Sequence, residues 1–419
     1  MTADKPVEET VTESGLSPGR WIVLALLFFS ITVNLVDRQV LSVLAPQIRD
    51  ELKLSNTQYS FIVASFLLGM TMAQIPAGIL IDRWGARLGL SVIMVWWSAA
   101  NGLHAIARNI GDLCGFRFLM GVGECGNYSG GIKVISQWFP PQERALAGGI
   151  FNSGTVIGSF VAPPLIVAIS LAYGWRMAFV LPSLLGLIWI IPWLWFYRDR
   201  KSVSTTTAPI PVMQLLRIPE VWGAMLARAL SGPVLHFYWY WLPEYLKRER
   251  HVSIQAIALL AAVPFLFAGL GNVAGGWFSG KMMSKGWSAD RARKLSFKLG
   301  ALLCACSIFV PLVPGEIPPV MVICVAVFGI SGFVATHIAM LTELFPGRVL
   351  ARVAGITGFG EGCVNMVVTL ATGVVVDHFS YLPVFIAAGF MPMLAVAACL
   401  LLIPRIQRLP DPVTGAVSA

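Results

Sequence analysis

The sequence predicts an all-α membrane protein with twelve transmembrane helices, arranged as two six-helix bundles related by pseudo-two-fold symmetry. Three observations carry that prediction. Of 419 residues, 57% are hydrophobic and only 12% charged, with a mean hydropathy of +0.75, too little polar surface for a water-soluble fold. Apolar runs near the ~20 residues needed to cross ~30 Å of hydrocarbon recur along the chain, without the period-two alternation of barrel strands. Finally, Phe139-Pro140 followed by Ala145, Gly149 and Ile150 recurs as Phe345-Pro346, Ala351, Gly355 and Ile356, the mark of a duplicated half.

Residues 1–19 form an acidic stretch (Asp4, Glu8, Glu9, Glu13), read as a disordered cytoplasmic tail with no signal peptide. The first bundle, 20–197, holds spans at 21–45, 59–81, 88–107, 112–136, 144–170 and 175–197. On span one, Asn34 and Asp37 share a face at i, i+3, and Arg38 follows about 100° round the helix. On span four, Arg117 and Glu124 lie two turns apart, with Asn127 a turn further along the same general face. Counting ~1.5 Å per residue puts Asp37 and Arg117 at similar depth, with Glu124 nearer the midplane.

Ionisable groups inside a span are costly unless they face a cavity or find partners, so these four charges are expected to form one network. Two readings stand side by side. In the functional one, Asp37 and Glu124 take up a coupling proton, while Arg38 and Arg117 hold an anionic substrate. In the other, the charges are a static structural ion pair, with Arg117 its purely structural member. Lys133, near the inner end of span four, reads as snorkelling to the interface. On span five, Asn152 and Thr155 share a face, suited either to substrate hydroxyls or to gluing helices together.

A linker over 198–218, with Arg198, Arg200, Lys201, a Ser/Thr stretch and Arg217, divides the halves. The second bundle, 219–405, holds spans at 219–246, 254–280, 295–314, 317–343, 349–376 and 381–404, before a tail over 406–419. Span seven supplies His236 and Tyr240 on one face with Phe237 and Trp241 beside them. These could cover a sugar ring, whereas Trp239 and Tyr245 read as an interfacial aromatic belt. Span eleven carries a polar stripe of Thr357, Glu361 and Asn365 at i, i+4, i+8, with Glu361 either a second proton site or a partner for Arg228 of span seven. His104, His337 and His378 are isolated and read as packed or interfacial residues.

With the N-terminus in the cytoplasm, about nineteen Lys/Arg fall on inner loops and tails and about seven outside, so both termini are expected inside. The net charge of +9 therefore reports topology rather than nucleic-acid binding. Cys304-x-Cys306 lacks the His or second Cys pair that a metal site needs, so no metal is expected. No phosphate-binding Walker loop occurs, so an ion gradient rather than ATP must supply the energy, and no cofactor is expected. No nucleophile–base constellation suggests an enzyme, and there is no room for the signalling domain of a non-transporting receptor.

The loop after span two, Gly78-Ile-Leu-Ile-Asp82-Arg83-Trp-Gly85-Ala-Arg87, resembles the signature loop of the Major Facilitator Superfamily. That resemblance implies a gate in which Gly78 and Gly85 allow close contact and Asp82, with Arg83 and Arg87, meets basic groups and a helix N-terminus of the other half. The second-half counterpart, Gly276 to Lys281, has lost the acid. A narrower resemblance rests on Arg117-Phe-Leu-Met-Gly-Val-Gly-Glu124-Cys-Gly-Asn127 through Lys133, Gln137-Trp-Phe-Pro140, Asn34 to Pro46, Ile150-Phe-Asn152, and Phe237 to Leu246. These segments are similar to the anion:cation symporter family, and within it to hexuronate transporters.

The resemblance implies proton-coupled uptake of a sugar acid, hexuronate or aldonate, by a monomer in the bacterial inner membrane, with Asp37 and Glu124 as protonation sites and Arg38 as substrate anchor. Asn34, Arg117, Asn127, Asn152, Tyr240, Trp241 and Asn365 are the further candidate substrate contacts. Thr155, Arg228, His236, Thr357 and Glu361 stand as additional candidates. Gly232-Pro233 departs from the hexuronate pattern, which keeps other anions open: an aromatic acid, tartrate, phosphate or a sialic-acid-like sugar. Sodium coupling stays open as well.

Overall fold

The computed structural model describes residues 19–139, 141–199 and 212–409, and every regular element among them is an α-helix or a short 3-10 turn. The tails over 1–18 and 410–419, the Ser/Thr part of the linker, Pro140, and the side chains of Gly78 and Asp82 lie outside the described residues. In chain order the helices of the first half are α1 (Gly19–Val43), α2 (Ala45–Leu52), α3 (Asn56–Leu103), α4 (Ile110–Trp138), α5 (Pro141–Tyr173) and α6 (Trp175–Phe196). After α7 (Val212–Leu215) in the linker come α8 (Pro219–Arg248), α9 (Ile254–Leu260), α10 (Val263–Ser284) and α11 (Ala289–Ala305). A 3-10 turn over Cys306–Leu312 prolongs α11, and α12 (Ile317–Leu344), α13 (Gly347–His378) and α14 (Leu382–Leu402) complete the second half.

The 48 residues of α3 make two crossings, because Gly85 takes φ +79° and breaks the helix where an L side chain would be strained. Asp199, just past α6, caps the new arm by accepting the Ala86 N–H at 2.7 Å and the Arg87 N–H at 3.3 Å. Counting both arms of α3, and α9 with α10 as one, the described residues make the twelve expected crossings. Eight of these are long and apolar on composition alone. The crossings in α4 and α8 are not, because Arg117 and Glu124 interrupt the first, and Arg228, His236 and the Tyr/Trp run the second. α3 and α4 touch backbone to backbone: a Cβ at Gly69 or Gly121 would strike the carbonyl of Phe118 or Phe66.

One element differs from expectation. Span one does not run straight to residue 45 but restarts at Ala45-Pro46 as α2, which ends at Lys53 in the left-handed conformation. α2 carries its charges to the end of the molecule remote from the termini. There Trp175 Nε1 (2.5 Å) and Arg176 Nη1 (2.8 Å) both donate to Glu51 and hold its carboxyl below the usual range.

At this far end the halves are locked together. Buried Arg49 of α2 pairs with Glu244 of α8, which also takes Arg248 Nε at 3.0 Å, and Arg248 reaches Asp50. Asp377 of α13 accepts the first N–H groups of α3, from Asn56 at 2.9 Å and Thr57 at 2.7 Å. The Tyr59 hydroxyl donates to the Tyr240 carbonyl at 2.7 Å. Further in, α3 meets α13 from Ser60–Gly373 to Thr71–Gly362, and α5 meets α10 at Val156–Gly269. The hydrogen bonds between the halves that join described residues lie at this far end, and nearer the termini a Cβ at Gly148, Gly149, Gly276, Gly280 or Gly355 would meet nothing within 4 Å. Among the described residues the space between the halves is thus closed at the far end.

Candidate functional site

The buried charges of α1 and α4 meet in the middle of the first half, but not as one hydrogen-bonded network. Arg38 is held side-on by Glu124, whose Oε2 accepts from Nε at 2.9 Å and Nη2 at 2.8 Å, with Asn34 Oδ1 at 3.4 Å from Nη2. Asp37 points the other way, into α3, where its oxygens accept from Trp97 Nε1 at 3.1 Å and Asn101 Nδ2 at 2.8 Å. Arg117 has no carboxylate among the described residues. Its Nη2 donates to the Arg38 carbonyl at 3.3 Å, and both guanidinium groups lie over the Phe66 ring, at 5.7 Å for Arg117 and 5.3 Å for Arg38.

The expectation of a single network is corrected by the 100° turn between Asp37 and Arg38, which sends neighbouring residues to different helices. What unites the four is charge. Asp37 is 0%, Glu124 2% and Arg117 2% exposed, and two carboxylates balance two guanidinium groups in a space where net charge is expensive.

Around this cluster several polar atoms are buried with no hydrogen-bond partner among the described residues: Arg117 Nε, Asn127 Nδ2 and the Tyr240 hydroxyl. Asn127 uses only its Oδ1, which accepts from Ser30 at 2.7 Å. Tyr240, from the second half, lies within electrostatic reach of Arg38, Arg117 and Glu124. The centre thus offers donors from both halves to an anion bearing hydroxyls.

Other candidates fall around this centre. Arg228 and Glu361 do pair, Nε to Oε2 at 2.5 Å, and Gly232 makes room, since a Cβ there would strike the Glu361 carboxylate. His236 Nδ1 donates to Gly232 O at 3.0 Å, with Tyr240 at 6.1 Å between ring centres. Asn152 lies one turn from Val156 on the face of α5 turned to the second half, and is exposed. Thr155 gives its hydroxyl to the Asn152 carbonyl at 2.7 Å, and Thr357 gives its own to Ala354 O at 3.0 Å, so both bond within their own helix. Asn365 is buried one turn beyond Glu361. Trp241 is buried edge-on against Tyr59 at 5.1 Å, at the far-end contact between the halves.

Three sequence readings are corrected. Lys133 does not snorkel: its Nζ donates to Ile81 O at 3.0 Å, a carbonyl near the end of the first arm of α3. Tyr245 is not in a belt but 1% exposed, packed on Tyr381 at 5.3 Å and Phe385 at 4.9 Å, with its hydroxyl accepting from Arg250 Nε at 2.8 Å. Trp239 likewise packs inward, on His236 at 5.1 Å and Phe265 at 6.2 Å. In both cases neighbouring helices of the second half pack on the aromatic run of α8 and cover it. Of the gate residues, Gly85 provides the break described above. Arg87 Nη2 donates to Leu194 O at 2.6 Å, Arg83 is exposed, and Gly78 and Asp82 are outside the described side chains.

Sequence reasoning passed over Trp97, Asn101, Phe66 and Asp199. Asn101, a polar residue in the middle of an apolar run, was the one visible signal among them.

Comparisons with known proteins agree with this architecture. The family model of the Major Facilitator Superfamily matches residues 27–338 and 238–418. A hexuronate transporter of Bacillus subtilis (strain 168) is 30% identical over 394 residues, covering 90% of this chain and 93% of that protein. A probable L-galactonate transporter of Escherichia coli (strain K12) is 31% identical over 378 residues, covering 84% of this chain and 82% of that one. Among solved structures, a bacterial homolog of the human lysosomal transporter Spinster, in an inward-facing and occupied conformation, superposes with a TM-score of 0.78 at 18% identity, covering 95% of this chain and 100% of the other.

Proposed function

The chain belongs to the Major Facilitator Superfamily, whose members are transporters and not enzymes, and on that premise we propose that it imports a sugar acid, hexuronate or aldonate, in symport with protons. The substrate class draws support from relatives named as hexuronate and galactonate transporters. The protein is a multi-pass membrane protein. The excess of Lys/Arg on the terminus-bearing side supports placing that side in the cytoplasm, and the closed far end then supports reading this conformation as inward-facing. The central cavity is built within one chain, which supports a monomer as the working unit.

The observation that carries the proposal is the hold of Glu124 on Arg38. The guanidinium edge that Glu124 occupies, Nε and Nη2, is one that a substrate carboxylate would use, so carboxylate and substrate compete for it. Protonation of Glu124 removes the competitor. It also leaves the balanced cluster one positive charge in excess, which an incoming anion restores to neutrality. Asp37, fully buried on Trp97 and Asn101, is the second candidate acid.

With the proton and anion bound, the site can move from one side to the other without exposing an unpaired charge to lipid. Asn34, Asn127 and Tyr240 are placed to meet the substrate's hydroxyls, Asn152 lies toward the terminus-bearing end, and Asn365 stands deeper, one turn past Glu361. For the halves to open outward, the Arg49–Glu244–Arg248–Asp50 group and the Asp377 cap must separate.

Uptake into energised vesicles of galacturonate, glucuronate, galactonate and gluconate tests the reading. At least one should accumulate against its gradient when a proton gradient is imposed, and Asp37→Asn should abolish that accumulation. Indifference of uptake to the proton gradient would refute the coupling.

A further inference from the structure

Asp37 and Glu124 are both buried acids, but they are held in different ways. Glu124 lies against a guanidinium. Among the described residues Asp37 takes its hydrogen bonds from neutral groups of α3, Oδ2 from Trp97 Nε1 at 3.1 Å and Oδ1 from Asn101 Nδ2 at 2.8 Å, and these two donors lie one turn apart on one helix face. An apolar bundle disfavours the ionised form of an acid, whereas hydrogen bonds donated to that form favour it. One N–H aimed at each oxygen therefore supports a negative charge on Asp37 without an ion pair.

Both donors are fixed by helices other than α1. α4 passes so close to Trp97 that a Cβ at Gly123 would stand 2.9 Å from its backbone nitrogen. α6 does the same for Asn101, whose Nδ2 also reaches Ser183 Oγ at 3.1 Å and the Phe179 carbonyl at 3.2 Å, while a Cβ at Gly186 would strike the Ser98 hydroxyl. Trp97 and Asn101 are both 0% exposed, and every residue of this cradle belongs to the first half, so it moves as one body when the halves rock. The charged groups around Asp37 are Arg38 beside it on α1, and Glu124 and Arg117 of α4. Tyr240 of α8 lies within electrostatic reach of those three. His104, three residues past Asn101 and stacked on Phe179 of α6 at 4.8 Å, donates Nδ1–H to the Ala100 carbonyl at 2.9 Å.

A symporter has to release its protons inside before the empty carrier can return, and a buried acid that keeps its proton there blocks the return. We propose that Trp97 and Asn101 are positioning residues for proton release: their N–H groups hold Asp37 as a carboxylate without a counter-ion, so that it gives its proton to cytoplasmic water independently of Arg38 and of the substrate. This rests on the sugar-acid symport reading and adds the step that resets the carrier. The two acids then answer to different controls. Glu124 changes charge in competition with the substrate for Arg38, and Asp37 changes charge against a fixed cradle of the first half.

The test is net uptake by right-side-out vesicles at fixed external and varied internal pH, alongside counterflow exchange, with the acid that the unaltered protein accumulates from galacturonate, glucuronate, galactonate and gluconate. Removing a donor strengthens the hold of Asp37 on its proton, so a more alkaline interior is needed to take it off. In Asn101→Leu the internal pH for half-maximal net uptake should rise by about one unit, a tenfold change in proton affinity, and in Trp97→Phe, which keeps a ring and loses the donor, by about half a unit. Exchange, which needs no proton release, should fall far less than net uptake. A merely structural role would lower both rates together and leave the internal-pH profile in place. An unmoved profile in Trp97→Phe, with rates lowered or intact, would overturn the proposal whatever becomes of Asn101→Leu, and so would a profile moved to lower pH. If uptake by the unaltered protein ignores the proton gradient, the symport reading fails first, and this inference with it.

Discussion

Arg38 and Arg228 each meet one glutamate, yet 15% of the Arg38 side chain and none of Glu124 reach solvent, against 36% of Arg228 and 18% of Glu361. The same chemistry is placed in two settings, and the setting decides what each pair can do. Breaking a buried pair by removing one partner costs about 3–5 kcal/mol, whereas a water-accessible pair contributes about 0–1 kcal/mol. The first pair therefore cannot separate unless a proton or an anion takes the place of the lost partner, which is what couples two solutes. The second can exchange partners cheaply, which suits selection between substrates rather than coupling.

Arg38→Ala should give the largest effect: substrate binding lost, and stability reduced by about 3–5 kcal/mol, read from thermal unfolding in detergent, because Glu124 is left buried and charged. Binding at unaltered strength in that variant would make Arg38 structural. Glu124→Gln sharpens the contrast, since the amide imitates the protonated acid. Proton-driven accumulation should vanish while counterflow exchange persists, and retained accumulation would move the coupling site elsewhere. Arg228→Ala should be the mildest for the fold, with stability within about 1 kcal/mol of the unaltered protein. A loss as large as that of Arg38→Ala would show the two pairs to be alike.

The contrast was only half legible in the sequence. Asp37, Arg38, Arg117 and Glu124 stand out because charge inside an apolar run has few explanations, and helical spacing brings them near one another. Spacing along one helix cannot say which neighbour each side chain will face. Asp37 therefore looked like a partner of the arginines, when α3 supplies Trp97 and Asn101.

The far-end lock was hidden for a different reason. Arg49, Asp50 and Arg248 sit where loops are expected to be charged, and Glu244 and Asp377 sit at the ends of their helices, so nothing in their local pattern separates a bridge between halves from ordinary solvation. Most of the twelve crossings were readable because eight of them are long apolar runs. The break that creates α2 depends on a single Ala-Pro step.

The charge balance of the central cluster has an electrical consequence. If a proton neutralises one carboxylate whenever one monoanion enters, the loaded site carries no net charge across the bilayer, and neither does the empty one. A membrane potential, worth about 2.3 kcal/mol per elementary charge at 100 mV, then has nothing to pull on. Accumulation of a monoacid should follow the pH difference alone, and clamping the voltage with a potassium ionophore at constant pH should leave it unchanged.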